Sequence, residues 1–295
     1  MGIGRKKIKH MIKYIYFSLL LIAGLTLTAC SSDDNSVEQA PKIYYMTVDA
    51  TKGVNEAASP AYRRALNLSG STLSASWATT EHVYVQVTLA NLTKDWFKGS
   101  LQPQSAGVTT RLSGTLSVPD GWVYSTIESA KDNGVFEFPI DMLLHFPRPG
   151  DLDYTGQVGT IDDIAAKYDY ATATASINGI NGNVITAASS VTFDSQQAIV
   201  KFTLIEDKAD ETTKLNPTAL TIQFGEESIS LTSIPAATYT TNGSGVLYVA
   251  IPGFSGQNVT LTATCSSGTY NYTKSNVTFT NGKYYEITVK MTKLQ

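Results

Sequence analysis

From Tyr44 to the end of the chain, stretches that alternate apolar and polar residues with a period of two recur at short intervals. Over residues 82–89, Val83, Val85, Val87 and Leu89 share one face while Tyr84, Gln86 and Thr88 share the other. Over residues 283–291, Tyr285, Ile287, Val289 and Met291 point one way and Glu286, Thr288 and Lys290 the other. An α-helix would scatter these sets around its axis, whereas a strand separates them cleanly. A strand with one apolar face covers a core and meets water on the other side, which is the habit of antiparallel sheets. Turn dipeptides at Asn242-Gly243, Ser267-Gly268 and Asn281-Gly282 punctuate the strands. The pattern predicts an all-β fold built as sandwiches.

One stretch breaks the alternation. Thr160-Ile161-Asp162-Asp163-Ile164-Ala165-Ala166-Lys167-Tyr168 has a capping threonine, an acidic pair in the first turn and a lysine near the end. That predicts a short helix near 160–168. The rigid turn Phe146-Pro147-Arg148-Pro149-Gly150 precedes it, so residues 147–183 read as an excursion from the sheet. Asp151, Asp153, Asp162 and Asp163 fall here, but their spacing lacks the alternating acidic loop and terminal glutamate that calcium requires. They read as loop and cap residues, with no metal and no cofactor expected. Fresh strand signals start near Val184, which divides residues 43–183 from 184–295 as an N-terminal and a C-terminal β-sandwich.

The first residues carry an address. Arg5, Lys6, Lys7, Lys9 and Lys13 precede an apolar run over 15–27, and Leu27-Thr28-Ala29-Cys30 closes it. The run is about a dozen residues, short of the roughly 20 that cross a bilayer, so residues 1–29 read as a lipoprotein signal peptide. The Cys30 thiol is the expected site of lipid attachment. Residues 30–42 then form a tether, whose start Ser31-Ser32-Asp33-Asp34-Asn35 resembles the surface-export signal of Bacteroidetes lipoproteins. The expected location is the outer face of the cell outer membrane. Beyond residue 29 the chain has 17 basic against 25 acidic residues, a formal charge of −8, which leaves no basic stripe for nucleic acid.

Catalytic constellations are missing from the pattern. After the signal peptide the histidines are His82 and His145, and neither sits in a metal-binding or nucleophile-activating motif. Paired carboxylates at Glu226-Glu227 and Asp162-Asp163 carry little weight alone for glycoside chemistry. The chain reads as a non-enzyme. Cys265 shares its face with Val259, Leu261 and Ala263, so its thiol reads as a small core hydrophobe. Trp96 and Phe97 lie in a polar segment between strands. Such rings either contact a sugar or protein ligand or fold back over the sandwich edge.

Three segments in order resemble the fimbrillins, the subunits of type V pili. They are Leu66-Asn67-Leu68-Ser69-Gly70-Ser71-Thr72-Leu73-Ser74-Ala75-Ser76-Trp77 before a valine-rich strand, Val191-Thr192-Phe193-Asp194-Ser195-Gln196-Gln197-Ala198-Ile199-Val200-Lys201-Phe202, and Phe279-Thr280-Asn281-Gly282-Lys283-Tyr284-Tyr285-Glu286-Ile287-Thr288-Val289. The resemblance implies two tandem transthyretin-like antiparallel sandwiches and assembly by strand exchange after proteolysis. A trypsin-like cut would fall after Arg64, between Arg63-Arg64 and Ala65, and release a strand over 44–50 whose Tyr44, Met46 and Val48 share a face. Other pilus subunits and, through the lipid, the outer membrane are then the partners, together with a host or bacterial surface glycan or protein. The chain departs from the family pattern at Thr80-Glu81, where many members have Gly-Asp, and at Asp194-Ser195, where they have a histidine. It also stops at Gln295 soon after its closing strand, which favours a tip, anchor or accessory subunit. The alternative reading is a lipid-anchored surface glycan-binding protein.

Overall fold

The computed structural model describes residues 42–53, 66–69, 72–87, 95–208 and 213–295. The alternating segments become strands. The first set comprises β1 (Ile43–Lys52), β2 (Leu66–Ser69), β3 (Thr72–Ala75), β4 (Tyr84–Val87), β5 (Asp95–Trp96), β6 (Lys98–Pro103), β7 (Thr109–Ser117), β8 (Ile140–Phe146), β9 (Ala171–Asn181), β10 (Val184–Ala187) and β11 (Val191–Ser195), with helices α1 (Ile127–Asp132) and α2 (Ile161–Lys167). The second set comprises β12 (Gln197–Glu206), β13 (Ala219–Phe224), β14 (Glu227–Leu231), β15 (Val246–Pro252), β16 (Phe254–Cys265), β17 (Gly268–Phe279) and β18 (Tyr284–Lys293), with helix α3 (Ala236–Asn242). The fold is all-β, in two sandwich-like sheets.

The first sheet runs β5-β4-β8-β9-β10-β1-β7-β6, with β11 beside β1 and β9, while β2 and β3 pair separately. It curls until its ends meet: Val83 and Leu101 exchange two backbone hydrogen bonds of 2.8 Å. Closure pairs backbone groups that a flat sheet would leave bare at its edges. Val83, Val85 and Val87 of the predicted face are buried inside, with Trp77, Leu101, Met142 and Phe193. Leu89 lies outside the described residues.

The second sheet runs β14-β13-β16-β17-β18-β12-β15 around its own core. Val289 and Met291 are buried there, and Tyr285 and Ile287 lie half-buried at its margin. Cys265 is half-buried at the end of β16 beside Val259, Leu261 and Ala263, and burial, then the nearby Glu206 charge, push its thiol pKa up.

Both sheets are mixed rather than antiparallel. β1 is antiparallel to β7 but parallel to β10 and β11, and β12 is parallel to β18. Alternation records which face of a strand is wet, and it holds no record of the neighbour's direction. The sheets also change over at Gln196, later than Val184, because β10 and β11 pair with β1 and β9 while β12 pairs with β15 and β18.

The helix expected near 160–168 is α2, whose Thr160 hydroxyl accepts the Asp163 N–H at 3.2 Å. Lys167 pairs with Asp163 at 2.9 Å one turn away. Asp163 also accepts Val158 N–H, and Asp153 accepts both the N–H and the hydroxyl of Thr155. These carboxylates thus stabilise the helix end and a turn. The excursion spans 147–170, since β9 resumes the sheet at Ala171. It packs Tyr154, Ile164, Tyr168 and Tyr170 onto the second core.

Within that excursion Gln157 acts as a short strand for β15. Its side-chain amide accepts from Ala250 N–H at 2.7 Å and donates to Ala250 O at 2.9 Å. Gly159 O accepts Tyr248 N–H two residues away. The β15 edge of the second sheet is therefore covered at Tyr248 and Ala250.

Candidate functional site

β1 is the first described strand, yet it lies inside a sheet. Nine of its positions pair with β7, Ile43 against Ser117 through Thr51 against Thr109. On its other side Tyr45, Met46 and Thr47 pair with β10, and Ala50, Thr51 and Lys52 with β11. Its inward side chains are Tyr44, Met46, Val48, Ala50 and Lys52, each 4% exposed or less. The alternation predicts the first three of these. Burying one such apolar side chain is worth roughly 1.5–3 kcal/mol, and the two-sided backbone ladder adds to it.

Each end of the strand is anchored by polar groups. At its start the Tyr44 hydroxyl donates to Glu128 at 2.5 Å and accepts Ile127 N–H at 2.9 Å, so it ties the first turn of α1 to the sheet. Lys42 donates to the same carboxylate at 2.5 Å. Burial tends to raise the Glu128 pKa, but hydrogen bonds from Lys42 and Tyr44 outweigh it and hold the group below the usual range. Burial and the Glu128 carboxylate both push the Tyr44 phenol up, so it stays a neutral donor. Tyr44→Phe should cost about 1–3 kcal/mol, because it orphans a buried N–H and a carboxylate contact. Denaturant unfolding beside Tyr45→Phe, whose ring is 52% exposed, checks this: equal midpoints for the two variants would refute the anchoring role.

At the other end Lys52 is buried among carboxylates and rings. Its ammonium donates to both oxygens of Glu81 at 3.1 Å and to Ser76 O at 3.3 Å, and lies 3.7 Å from Asp169 Oδ2. The rings of Phe146 and Trp77 stand 3.9 and 4.6 Å from it. Asp169 is buried, and its Oδ2 has no hydrogen-bond partner, so Lys52 is the charge that compensates it. Burial raises the pKa of both Glu81 and Asp169, and the Lys52 charge offsets only part of that. Glu81 also walls an open cleft of about 490 Å³ with His82, Tyr84 and Phe146.

Sequence reasoning ended the strand at Ala50 and missed this cluster. Lys52 has the same parity as the apolar face, which was the available signal. Glu81, in the Thr80-Glu81 departure from the fimbrillin pattern, is its nearest carboxylate partner.

The other expected site residues separate. Cys30, Arg63, Arg64 and Ala65 lie outside the described residues. Phe97 is buried, with its ring 6.1 Å from that of Trp122. Trp96 is half-buried and meets His145 edge-on at 4.6 Å. The two rings do not form one exposed platform. Among the described residues no group of three or more His, Cys, Asp or Glu side chains is placed to hold a metal ion.

No protein-family model and no curated protein matches the sequence. Among solved structures the chain is similar to a fimbrial assembly protein from Parabacteroides distasonis, at 12% identity and a TM-score of 0.37 over 84% of this chain and 91% of that one. A protein assigned to cell adhesion from Bacteroides uniformis gives 11% identity and a TM-score of 0.37, over 83% and 93%. A fimbrial protein from Bacteroides ovatus gives 11% and 0.30, over 85% of this chain and 50% of that one.

Proposed function

We propose that this chain is a surface-anchored structural and adhesive subunit of a fimbrillin-type pilus, in which proteolysis frees β1 and a strand from a neighbouring subunit takes its place. Lipid on Cys30 holds the newly exported chain at the outer membrane, and the subunit serves as tip, anchor or accessory component. The observation that carries this reading is the placement of β1. It is the first described strand, and it fills a slot between β7 on one side and β10 and β11 on the other.

A single cut between Gly53 and Leu66, where Arg63-Arg64 lies, severs β1 from all the chain that follows it. Before the cut, the short connection keeps β1 at a high effective concentration beside its slot, and a competing strand loses. After the cut, β1 and the competitor meet the slot on equal terms. Loss of β1 leaves an apolar trough with unpaired backbone on both sides, which strand addition repairs.

Limited trypsin treatment tests the proposal. Cleavage is expected first after Arg63 or Arg64, which have polar neighbours in the sequence. Mass spectrometry should then find a resistant core starting at Ala65, with β1 (Ile43–Lys52) released in the presence of a competing strand. A chain that resists cleavage there, or a cut chain that never gives up β1, would refute strand exchange.

A further inference from the structure

The slot that β1 fills is chemically different at its two ends, and the groups that make it so belong to other parts of the chain. Ile127 N–H and the Glu128 carboxylate receive the Tyr44 hydroxyl at one end. Glu81 and Asp169, with side chains only 12% and 3% exposed, receive the Lys52 ammonium at the other. Met46, Val48 and Ala50 lie between, against the apolar core. All four receiving groups stay behind when β1 leaves.

We propose that the slot selects a partner strand carrying a basic side chain at the position of Lys52, so that this charge fixes the register of the exchanged strand. The proposal rests on the strand-exchange reading above. Alternation alone cannot set the register: a slip of one residue turns every side chain to the wrong face, but a slip of two preserves the faces. A two-residue slip would set a neutral side chain against Glu81 and Asp169 and leave buried carboxylates without a cation, a strongly unfavourable state. The occupant is therefore a strand of the type Tyr-x-apolar-x-apolar-x-apolar-x-Lys. An alternating apolar strand that lacks the cation is rejected.

The test uses the full chain with a site for a sequence-specific protease inserted between Gly53 and Leu66, cut and then mixed with labelled synthetic peptides. One peptide has the sequence Ile43–Lys52. A second carries Lys52→Met, and a third moves the charge by combining Ala50→Lys with Lys52→Ala. The first peptide should displace the resident strand, and the other two should bind roughly a hundredfold more weakly or worse, as expected for a buried charge pair that loses one member. Repeating the titration on a chain with Glu81→Gln and Asp169→Asn should remove the preference for lysine. Equal binding of the lysine and methionine peptides would overturn the charge rule while leaving strand exchange standing. Failure of every peptide to enter would overturn strand exchange itself, and the charge rule with it.

Discussion

Lys52→Met is expected to destabilise the uncut chain by about 3–5 kcal/mol, the usual cost of stranding a buried charge by removing its partner. Methionine fills most of the lysine volume, so packing against Trp77 and Phe146 is largely kept and the loss is electrostatic. Two carboxylates, Glu81 and Asp169, then remain buried without a cation. Adding Glu81→Gln and Asp169→Asn should restore most of the stability, since neutral amides do not need the ammonium. The pH dependence has a defined sign. Both carboxyls have folded pKa values raised above their unfolded ones, first by burial. Their protonated forms favour the folded state, so stability is greatest below the ordinary carboxylate range and falls as pH rises through the raised values. The deficit of Lys52→Met should accordingly shrink in acid and be fullest at neutral pH. Urea midpoints across that range measure it, and an unchanged midpoint at neutral pH would refute the account.

Trp77→Ala should cost about 3–5 kcal/mol, as large aromatic truncations in packed cores do. Trp77 is 1% exposed, meets Phe193 and Phe146 edge-on at 5.1 and 5.7 Å, and lies beneath Lys52. Its removal opens a cavity and strips a face from the ammonium. Trp77→Phe is expected to cost clearly less, because it keeps a ring there and deletes an indole N–H that has no hydrogen-bond partner. Thermal unfolding of the two variants decides this. Equal losses would mean that ring packing is not what Trp77 supplies.

Local pattern makes much of the fold legible in the sequence. The buried valines of β4 and the capped helix α2 follow from alternation and from Thr160, because both depend on residues a few positions apart. Helix α1 is not legible in the sequence although Thr126 caps it, since its six residues are too few to show a helical period. The parallel partners of β1 could not be read, because pairing across long stretches of chain leaves no local trace. The role of Lys52 is hidden for a related reason. A lysine after an apolar run looks like a strand end, and only the fold brings Glu81 and Asp169 to it.

The amide of Gln157 has a further meaning for assembly. By occupying both hydrogen-bonding groups of Ala250 it blunts the β15 edge of the second sheet. The opposite edge, β14, is five residues long and begins at the Glu226-Glu227 pair, two features that discourage pairing. Both margins thus discourage a foreign strand, and in the proposed pilus the β1 slot is the acceptor. Growth from units that each accept one strand in that slot is linear.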